Sequence, residues 1–441
     1  MEIRAIGGYD FIGKNCTAVK VGKDVLMLDC GLHMENYIAY TEDDDLISVR
    51  PEDLMKVGAV PDISLLGDWK NDLKMILPTH AHLDHIGALP YLANMLKAPI
   101  ASTPYTTEVL KAILTDEEIR LKNPIKTVQP NESIKITENV RAEFIHMTHS
   151  TPHSSMIALH TPEGIILYAN DFKFDQTPTL GKKPNFKRLE ELGLQGIRAL
   201  IVDSTNAPKA QKTPSEAVAR QMLQDVLLGV DAKGKAIMVT TFSSHIARLK
   251  SIIEMGHKIG RKVVFLGRSL HKYSMAAERV GLVNFSKEAR MGKFPKQVKK
   301  ELKHIAQRKD RYLLVVTGHQ GEPRSTLSKM VSGKLPFPFS AGDMVVFSCK
   351  TIPTETNIRN RERLEAALKA RHVRLFLDVH VSGHAGKEDI RDLINLVKPE
   401  HIIPAHGDLL MRTALASLAQ ELGYKMGQSV HLIKDGESLR L

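Results

Sequence analysis

The chain has 441 residues, more than one hydrophobic core usually supports, so we expect two or three domains. Its three cysteines, Cys16, Cys30 and Cys349, are odd in number and lie in apolar strand-like runs, so we expect buried thiols rather than a disulfide framework. No apolar run approaches the roughly 18 residues of a membrane span. No basic segment followed by an apolar one opens the chain, so we expect a cytoplasmic protein without membrane contact.

Charge is distributed unevenly along the chain. Residues 206–372 hold 32 Lys and Arg against 13 Asp and Glu, a net charge of +19, whereas the rest of the chain has a net charge of −8. The basic segment predicts contact with a polyanion such as a nucleic acid, although Lys-rich helices are often only solvated surfaces. Because aromatic residues make up only 5% of the chain, we expect salt-sensitive binding through phosphates with little sequence specificity.

The predicted elements alternate between strands and helices. The first series of strands is predicted at 2–8, 16–22, 24–31, 73–78, 138–147, 156–161, 164–171 and 197–205, with loops over 36–68. A helix start at 213–216, with Pro214 in its first turn, opens a second series with strands at 236–242, 262–267, 312–318 and 343–348. Buried strands that alternate with helices predict parallel α/β sheets.

The segment His80-Ala81-His82-Leu83-Asp84-His85 follows an apolar run and supplies four metal ligands within six residues. Imidazole and carboxylate are ligands that Zn²⁺ prefers, and alternate residues at a strand end face the same way, so His80 and His82 can converge on one ion. Asp84 and His85, on the following turn, are then placed for a second ion. A polar turn at a helix start is the alternative explanation.

Three further residues of ligand type each end a later apolar run, namely His149, Asp171 and His406. Taken singly, each is more often a capped strand end than a ligand, but together with the first four they make seven ligands for two ions. Six of the seven precede residue 172 and the last follows a long segment, so we expect an insertion between them.

In this order the motifs resemble those of the metallo-β-lactamase superfamily. The resemblance implies an α/β fold, the αββα sandwich, with two zinc ions and these ligands: His80, His82 and His149 for one ion, Asp84, His85 and His406 for the other, and Asp171 for both. Asp29, at the end of an early strand, is implied to orient ligands rather than to bind metal.

The inserted segment resembles the cap of the β-CASP nucleases, a branch of that superfamily. Asp203, His384 and His406 match its three additional motifs. The resemblance implies a metallo-β-lactamase domain at 1–205 and 373–441, and an α/β insert with a parallel sheet at 206–372. Strings such as GGYDFIGKN, TGHQGEP and HVSGHA are similar to ribonuclease J, and the short C-terminal part is similar to its archaeal group.

The resemblance implies a zinc-dependent exoribonuclease in RNA decay and maturation, which degrades single-stranded RNA from a 5′-monophosphate in the 5′-to-3′ direction. Mn²⁺ or Mg²⁺ is a second candidate activator. Asp84 would orient the attacking water or take its proton, and His384, supported by Asp203, would protonate the leaving group. His380 would contact the scissile phosphate.

Three other functions stay open at this point: an endonuclease with the same site, a DNA nuclease, and a small-molecule metallo-hydrolase. A homodimer is an open expectation, and no protein partner is predicted.

A terminal 5′-phosphate would be held by short hydroxyls, backbone N–H groups and a guanidinium. The residues of the insert that resemble the family's phosphate pocket are Ser243, Ser244, Arg248, Arg268 and Ser269, with His319, Gln320 and Ser348 as further candidates. Turn and helix-capping roles explain the serines equally well.

Overall fold

The computed structural model describes residues 1–41 and 49–441, and the chain in it forms two compact units. The first unit contains Met1–Gln176, Lys182–Thr213 and Gly383–Leu441, and the second contains Thr177–Gly181 and Pro214–Ser382. The second unit is therefore an insertion into the first. Within the described ranges, no helix is both long and apolar enough to cross a bilayer.

The first part of the first unit supplies most of its strands and helices. The strands are β1 (Glu2–Gly7), β2 (Cys16–Val21), β3 (Asp24–Leu28), β4 (Leu73–Leu77), β5 (Ile100–Ser102), β6 (Ile125–Thr127), β7 (Ser133–Lys135), β8 (Arg141–His146), β9 (Ser155–Thr161), β10 (Gly164–Ala169) and β11 (Ile197–Asp203). The helices are α1 (Met34–Thr41), α2 (Pro51–Lys56), α3 (Leu83–Ile86), α4 (Leu89–Leu96), α5 (Pro104–Asp116) and α6 (Phe186–Gln195), with a 3₁₀ segment at Ile63–Asp72.

The second unit follows, and the chain then returns to the first. The second unit has β12 (Ile237–Thr240), β13 (Lys262–Leu266), β14 (Ala289–Gly292), β15 (Tyr312–Val316), β16 (Met344–Phe347) and β17 (Arg374–Phe376), with α7 (Glu216–Gly229), α8 (Ile246–Lys258), α9 (Arg268–Arg279), α10 (Phe285–Glu288), α11 (Pro295–Ala306), α12 (Thr326–Val331) and α13 (Glu355–Lys369). The first unit is completed by α14 (Lys387–Val397), β18 (His401–Ala405), α15 (Leu409–Glu421) and β19 (Ser438–Arg440).

Two sheets, ordered β19-β1-β2-β3-β4-β5-β6 and β18-β11-β10-β9-β8-β7, form the centre of the first unit. Successive side chains of a strand point to opposite faces, so a buried strand can serve two cores. In β10, Ile166 and Tyr168 pack in the core between the two sheets, whereas Leu167 and Ala169 pack in the core that α6, α14 and α15 complete. The predicted αββα sandwich is confirmed.

The sheet of the second unit has the order β14-β13-β15-β12-β16-β17, and each neighbouring pair is parallel. Its strands are apolar along nearly their whole length because helices cover the sheet, as is usual for parallel strands. Val264, Leu314 and Val345 from three of the strands lie in one core with Leu302 of α11. The predicted parallel sheet of the insert is also confirmed.

Two local predictions were wrong. Helices α1 and α2 lie where loops were predicted over 36–68, because helices this short bury too little to give a periodic pattern; α2 buries only Leu54. Pro214 lies outside α7 rather than in its first turn, because Ser215 is the N-cap and accepts a hydrogen bond from Ala217 N.

Gly31 follows β3 at a close approach between two parts of the first unit. A Cβ atom on Gly31 would lie 1.6 Å from the carbonyl oxygen of Asp84, so only glycine lets the segment 82–85 approach this strand end. The neighbouring backbone contact, from Cys30 N to His85 O, is 2.7 Å long. The strand end after β3 therefore fixes the position of the His- and Asp-rich segment.

We predict that Gly31→Ala lowers the stability of the first unit by about 1–3 kcal/mol, because the new methyl group forces the two segments apart. Trp69, the single tryptophan, is buried in this unit and reports its thermal unfolding by fluorescence. The control is Gly229→Ala on α7 of the second unit, where an added Cβ meets nothing within 4 Å and the midpoint that Trp69 reports should not change. Equal unfolding midpoints for Gly31→Ala and the control would contradict the prediction.

Candidate metal centre

The residues of the candidate site lie at the carboxyl ends of strands of the first unit. Asp29, Asp171 and His406 follow β3, β10 and β18, and their backbones are left-handed, with φ of 59°, 48° and 52°. Residues other than glycine pay about 1 kcal/mol or more for this conformation, which persists where the surrounding structure holds it. Three strained strand ends therefore meet at one place.

A first group consists of His80, His82, His149 and Asp171, whose ligand atoms all lie within 4.8 Å of one another. His82 Nδ1 is 3.1 Å from His80 Nε2 and 3.1 Å from His149 Nε2. Asp171 Oδ2 is 3.4 Å from His80 Nε2 and 3.5 Å from His149 Nε2. Three imidazole nitrogens and one carboxylate oxygen thus surround one point.

A second group consists of Asp84, His85, Asp171 and His406. His85 Nε2 lies 3.3 Å from Asp171 Oδ2 and 3.6 Å from Asp84 Oδ2. His406 Nε2 lies 3.3 Å from Asp171 Oδ1 and 3.8 Å from Asp84 Oδ2. Asp171 belongs to both groups, one oxygen toward His406 and the other toward the remaining histidines.

Hydrogen bonds on the far side of the rings fix which nitrogen faces inward. His85 Nδ1 donates to Asp29 Oδ2 at 2.8 Å, and His149 Nδ1 donates to the carbonyl oxygen of Gly383 at 2.7 Å. Since a carboxylate and a carbonyl oxygen can only accept, each ring in its neutral form presents the Nε2 lone pair to the centre. Thr79 Oγ1 lies 2.9 Å from Asp29 Oδ1 and 3.0 Å from His80 Nδ1, which orients a third ring.

The donor set fits a metal ion. Asp171 Oδ1 and His406 Nε2 are buried, and among the residues that the structure describes they have no hydrogen-bond partner. Buried polar atoms without partners are costly, and a cation between them removes that cost. Nitrogen and carboxylate donors at this spacing are those of zinc sites, and hard cations are also held by such carboxylates.

The electrostatics of the cluster point the same way. Burial alone would raise the pKa of Asp171, but the nearby His406 and His85 lower it well below its usual range. Burial and the His149 charge hold the pKa of His82 well below 6.5. Burial would also lower the pKa of His85, but Asp171, Asp29 and Asp84 raise it well above 6.5. The carboxylates therefore make this part of the cluster negative, which favours a bound cation.

Asp203 and His384 form a pair beside this cluster. His384 Nδ1 donates to Asp203 Oδ2 at 2.8 Å and lies 3.9 Å from Asp171 Oδ1. Burial disfavours the charged ring, but Asp171 and Asp203 outweigh it and raise the pKa of His384 to about 9. The His384 side chain is 23% exposed, so Asp203 fixes its Nδ1 side while part of the ring remains accessible to solvent.

Comparison with known proteins agrees with this geometry. The family described as "Metallo-beta-lactamase superfamily" matches residues 9–206, "Ribonuclease J, beta-CASP domain" matches 234–362, and "Zn-dependent metallo-hydrolase RNA specificity domain" matches 372–428. The chain is 42% identical to Ribonuclease J of Methanocaldococcus jannaschii, over 100% of this chain and 98% of that protein. The chain belongs to the ribonuclease J family. The resemblance predicted from the motifs is confirmed.

Further relatives support the family. Ribonuclease J of Pyrococcus abyssi is 41% identical over 100% of this chain and 97% of its own length. Ribonuclease J of Thermus thermophilus is 32% identical over 96% of this chain and 71% of its own length. A solved structure, described as a protein of unknown function from Enterococcus faecalis V583, matches with a TM-score of 0.69 at 17% identity over 100% of this chain and 99% of that one. That last similarity concerns the fold alone.

The predicted phosphate-pocket residues of this ribonuclease J family member lie in the second unit, where the structure brings two of them together. Ser243 Oγ and Ser269 Oγ are 3.0 Å apart, at the first turn of α9. Arg268, the first residue of α9, is exposed beside Ser269, whereas Ser244 is only 7% exposed. Ser243 and Ser269 therefore lie side by side at the N-terminus of α9, with Arg268 adjacent in sequence.

Arg248 and Ser348 lie inside the unit instead. Both are 0% exposed, which corrects their predicted contact with a substrate. The guanidinium of Arg248 donates to Glu216 from Nε at 2.5 Å and from Nη2 at 2.8 Å, and from Nη1 to Ser348 Oγ at 2.8 Å. Ser348 Oγ in turn donates to the carbonyl oxygen of Val379 at 2.8 Å. This network anchors the backbone directly before His380.

The remaining candidates of the second unit have differing environments. Gln320 is 4% exposed and uses both ends of its amide internally, toward Lys350 O and Ile352 N. His319 packs against Phe242 with 4.2 Å between ring centroids. Burial, with the nearby Arg248, lowers the pKa of His380 to about 2, so this ring is neutral.

Two polar residues of the site were missed in the sequence, Thr79 and Asn15. Thr79 bonds Asp29 and precedes His80 directly, so its place beside the motif was a usable signal. Asn15 lies within the GGYDFIGKN string, to which the resemblance gave no role.

We predict that Arg248→Met destabilises the second unit by about 3–5 kcal/mol, because the buried carboxylate of Glu216 loses the guanidinium that donates to both of its oxygens. The double variant Glu216→Gln/Arg248→Met should recover much of this loss. Urea unfolding followed by circular dichroism measures the effect, with Trp69 fluorescence as an internal reference for the first unit. The control is Arg268→Met on the exposed surface, and a loss of the same size in that control would refute the assignment.

Proposed function

We propose that this ribonuclease J family member is a two-zinc exoribonuclease, which removes nucleotides from the 5′-monophosphate end of single-stranded RNA in the 5′-to-3′ direction. The observation that carries the proposal is the cluster of seven His and Asp side chains beside the Asp203–His384 pair. Relatives that align with the whole chain are named ribonucleases, which supports RNA as the substrate. We assign the ligands to the two ions as the motifs imply, with Asp171 shared between them.

Two side chains of the site are accessible enough to act on a substrate. Asp84 and His384 are each 23% exposed, whereas the side chains of His80, His85 and His406 are 0% exposed. Metal ions held by the seven ligands would supply a water activated for attack near neutral pH and would neutralise charge on the phosphoryl oxygens. Asp84 would orient that water or take its proton, and His384, held by Asp203, would donate a proton to the leaving oxygen.

The second unit supplies the surface for the RNA backbone. Helix α11 buries Val298, Leu302 and Ile305 and exposes a row of lysines on its other face: Lys296, Lys299, Lys300 and Lys303. Such a row binds phosphates without regard to base, and its affinity falls steeply with salt. The family match described as an RNA specificity domain is consistent with an RNA substrate.

We predict that His82→Ala abolishes cleavage but leaves RNA binding within about a few-fold of the wild type. Loss of one imidazole removes a metal ligand, whereas binding is spread over many lysines of the second unit. Cleavage of labelled RNA and filter binding at fixed salt measure the two properties separately. Loss of binding to the same extent as cleavage, in a variant with unchanged unfolding, would contradict this division.

The exonuclease proposal is tested with three forms of one RNA: 5′-phosphorylated, 5′-hydroxyl and circular. Immediate release of mononucleotide from the phosphorylated form, with the circle intact, supports it. Internal fragments and cleavage of the circle would instead establish an endonuclease with the same site. No cleavage with Zn²⁺, Mn²⁺ or Mg²⁺ would overturn the nuclease proposal.

We predict that Ser269→Ala and Arg268→Ala slow trimming of the 5′-phosphorylated RNA roughly tenfold or more, because each removes a contact to the terminal phosphate. Rates on the 5′-hydroxyl RNA should change little. Lys272→Ala, one turn further along α9, is the control for a general loss of positive charge. Equal slowing on both RNA forms would remove the phosphate pocket from these residues.

A further inference from the structure

Asn15 lies at the meeting point of three segments of the first unit. It is 1% exposed and follows the glycine-rich loop between β1 and β2. Its side chain reaches the turn of Asp84 and His85, and also His406, which is 391 residues away in the chain. These three residues are the ones assigned to the second metal position.

The orientation of the Asn15 amide follows from its partners. Nδ2 lies 3.1 Å from the carbonyl oxygen of Asp84, which can only accept, so this end must be the donor. The other end, Oδ1, lies 2.8 Å from His406 Nδ1 and accepts from Asn170 Nδ2 at 3.1 Å. The contact with Asn15 Oδ1 is much shorter than the 3.5 Å from Gly13 N to His406 Nδ1, so Nδ1 is the donor and carries a hydrogen, and the lone pair of the neutral ring is on Nε2.

That Nε2 atom is the one that faces the cluster. It is 3.3 Å from Asp171 Oδ1 and 3.8 Å from Asp84 Oδ2, and it has no hydrogen-bond partner among the residues that the structure describes. Asn15 Nδ2 also lies 3.1 Å from His85 Nε2. The Asn15 amide thus contacts the imidazoles of His85 and His406 and the backbone carbonyl of Asp84, the three residues assigned to the second metal position.

The loop before Asn15 supports the same contact from the backbone. His406 N donates to the carbonyl oxygen of Gly8 at 2.7 Å, so the loop holds both the main chain and the ring of His406. Gly8 has φ of 87°, and a Cβ there would lie 2.6 Å from Asn15 Oδ1. The glycine leaves room for the Asn15 side chain and adopts a conformation that other residues rarely take.

We propose that Asn15 is a positioning residue for the metal position formed by Asp84, His85 and His406, and that loss of its amide weakens this position selectively. The inference rests on the proposed metal site. Groups that orient ligands in this way typically change metal affinity 10- to 100-fold when they are removed. The first position, with His80, His82 and His149, has its own orienting groups in Thr79 and Gly383 and is expected to keep its affinity.

The test measures Zn²⁺ binding to the full chain by competition with a chromophoric chelator, and zinc per chain by elemental analysis. The variants are Asn15→Ala and the similarly shaped Asn15→Leu. The matched control is Asn123→Ala, another buried asparagine of the first unit, whose amide donates to Ala93 O and Ala98 O. Trp69 fluorescence confirms that each variant is folded.

We expect two ions in the wild type and the control, with a fall of tenfold or more in the affinity of one ion in both Asn15 variants. The double variant Asn15→Ala/His406→Ala should have the same zinc affinity at that position as His406→Ala alone. The double variant Asn15→Ala/His149→Ala should instead bind both ions more weakly. Wild-type affinity for both ions in the folded variants, or an equal fall for both, would overturn the inference. A wild-type chain without zinc affinity would overturn the metal proposal itself.

Discussion

The buried carboxylate of Asp171 is the constraint on which the centre of the first unit depends. Its Oδ2 lies within 3.5 Å of Nε2 atoms of His80, His85 and His149, and its Oδ1 lies 3.3 Å from His406 Nε2. An ionised carboxylate removed from water costs several kcal/mol unless positive charge compensates it. The segments that follow β4, β8 and β18 each bring an imidazole nitrogen to Asp171, from His80, His149 and His406, and a bound cation would complete the balance of charge.

Strand pairing explains how the chain tolerates a large insertion ahead of its last candidate ligand, His406. Strand β18 pairs with β11 in parallel, with Asp203 opposite Ala405, so His406 comes next to Asp203 whatever lies between them in sequence. The returning chain is also fixed locally, since Thr213 N donates to Asp389 at 2.8 Å and Asn206 Nδ2 donates to the carbonyl oxygen of His384 at 3.1 Å. The geometry of the pair Asp203 and His384 is thus set within the first unit.

Much of the fold and of the metal centre could be predicted because few explanations exist for such residues in such an order. Four His and Asp residues within six positions, followed by single His and Asp residues at strand ends, are typical of a metal site and of few other structures. Arg248 shows where this reasoning fails. A guanidinium in a basic segment indicates phosphate binding, but Arg248 lies four residues before the buried Ile252 on α8, on the covered face of that helix. Only that spacing indicated an internal partner, which is Glu216.

The two groups of candidate ligands are chemically unequal, and this difference bears on which metal ion each group would prefer. The first offers three imidazoles and one carboxylate, a set suited to Zn²⁺, whereas the second offers two imidazoles and two carboxylates. Carboxylate oxygens shift preference toward harder ions such as Mn²⁺ and Mg²⁺. Asp84, the most exposed of these carboxylates, belongs only to the second position. We therefore expect metal exchange to begin there, and the amide of Asn15 to limit it by holding His406 in one tautomer.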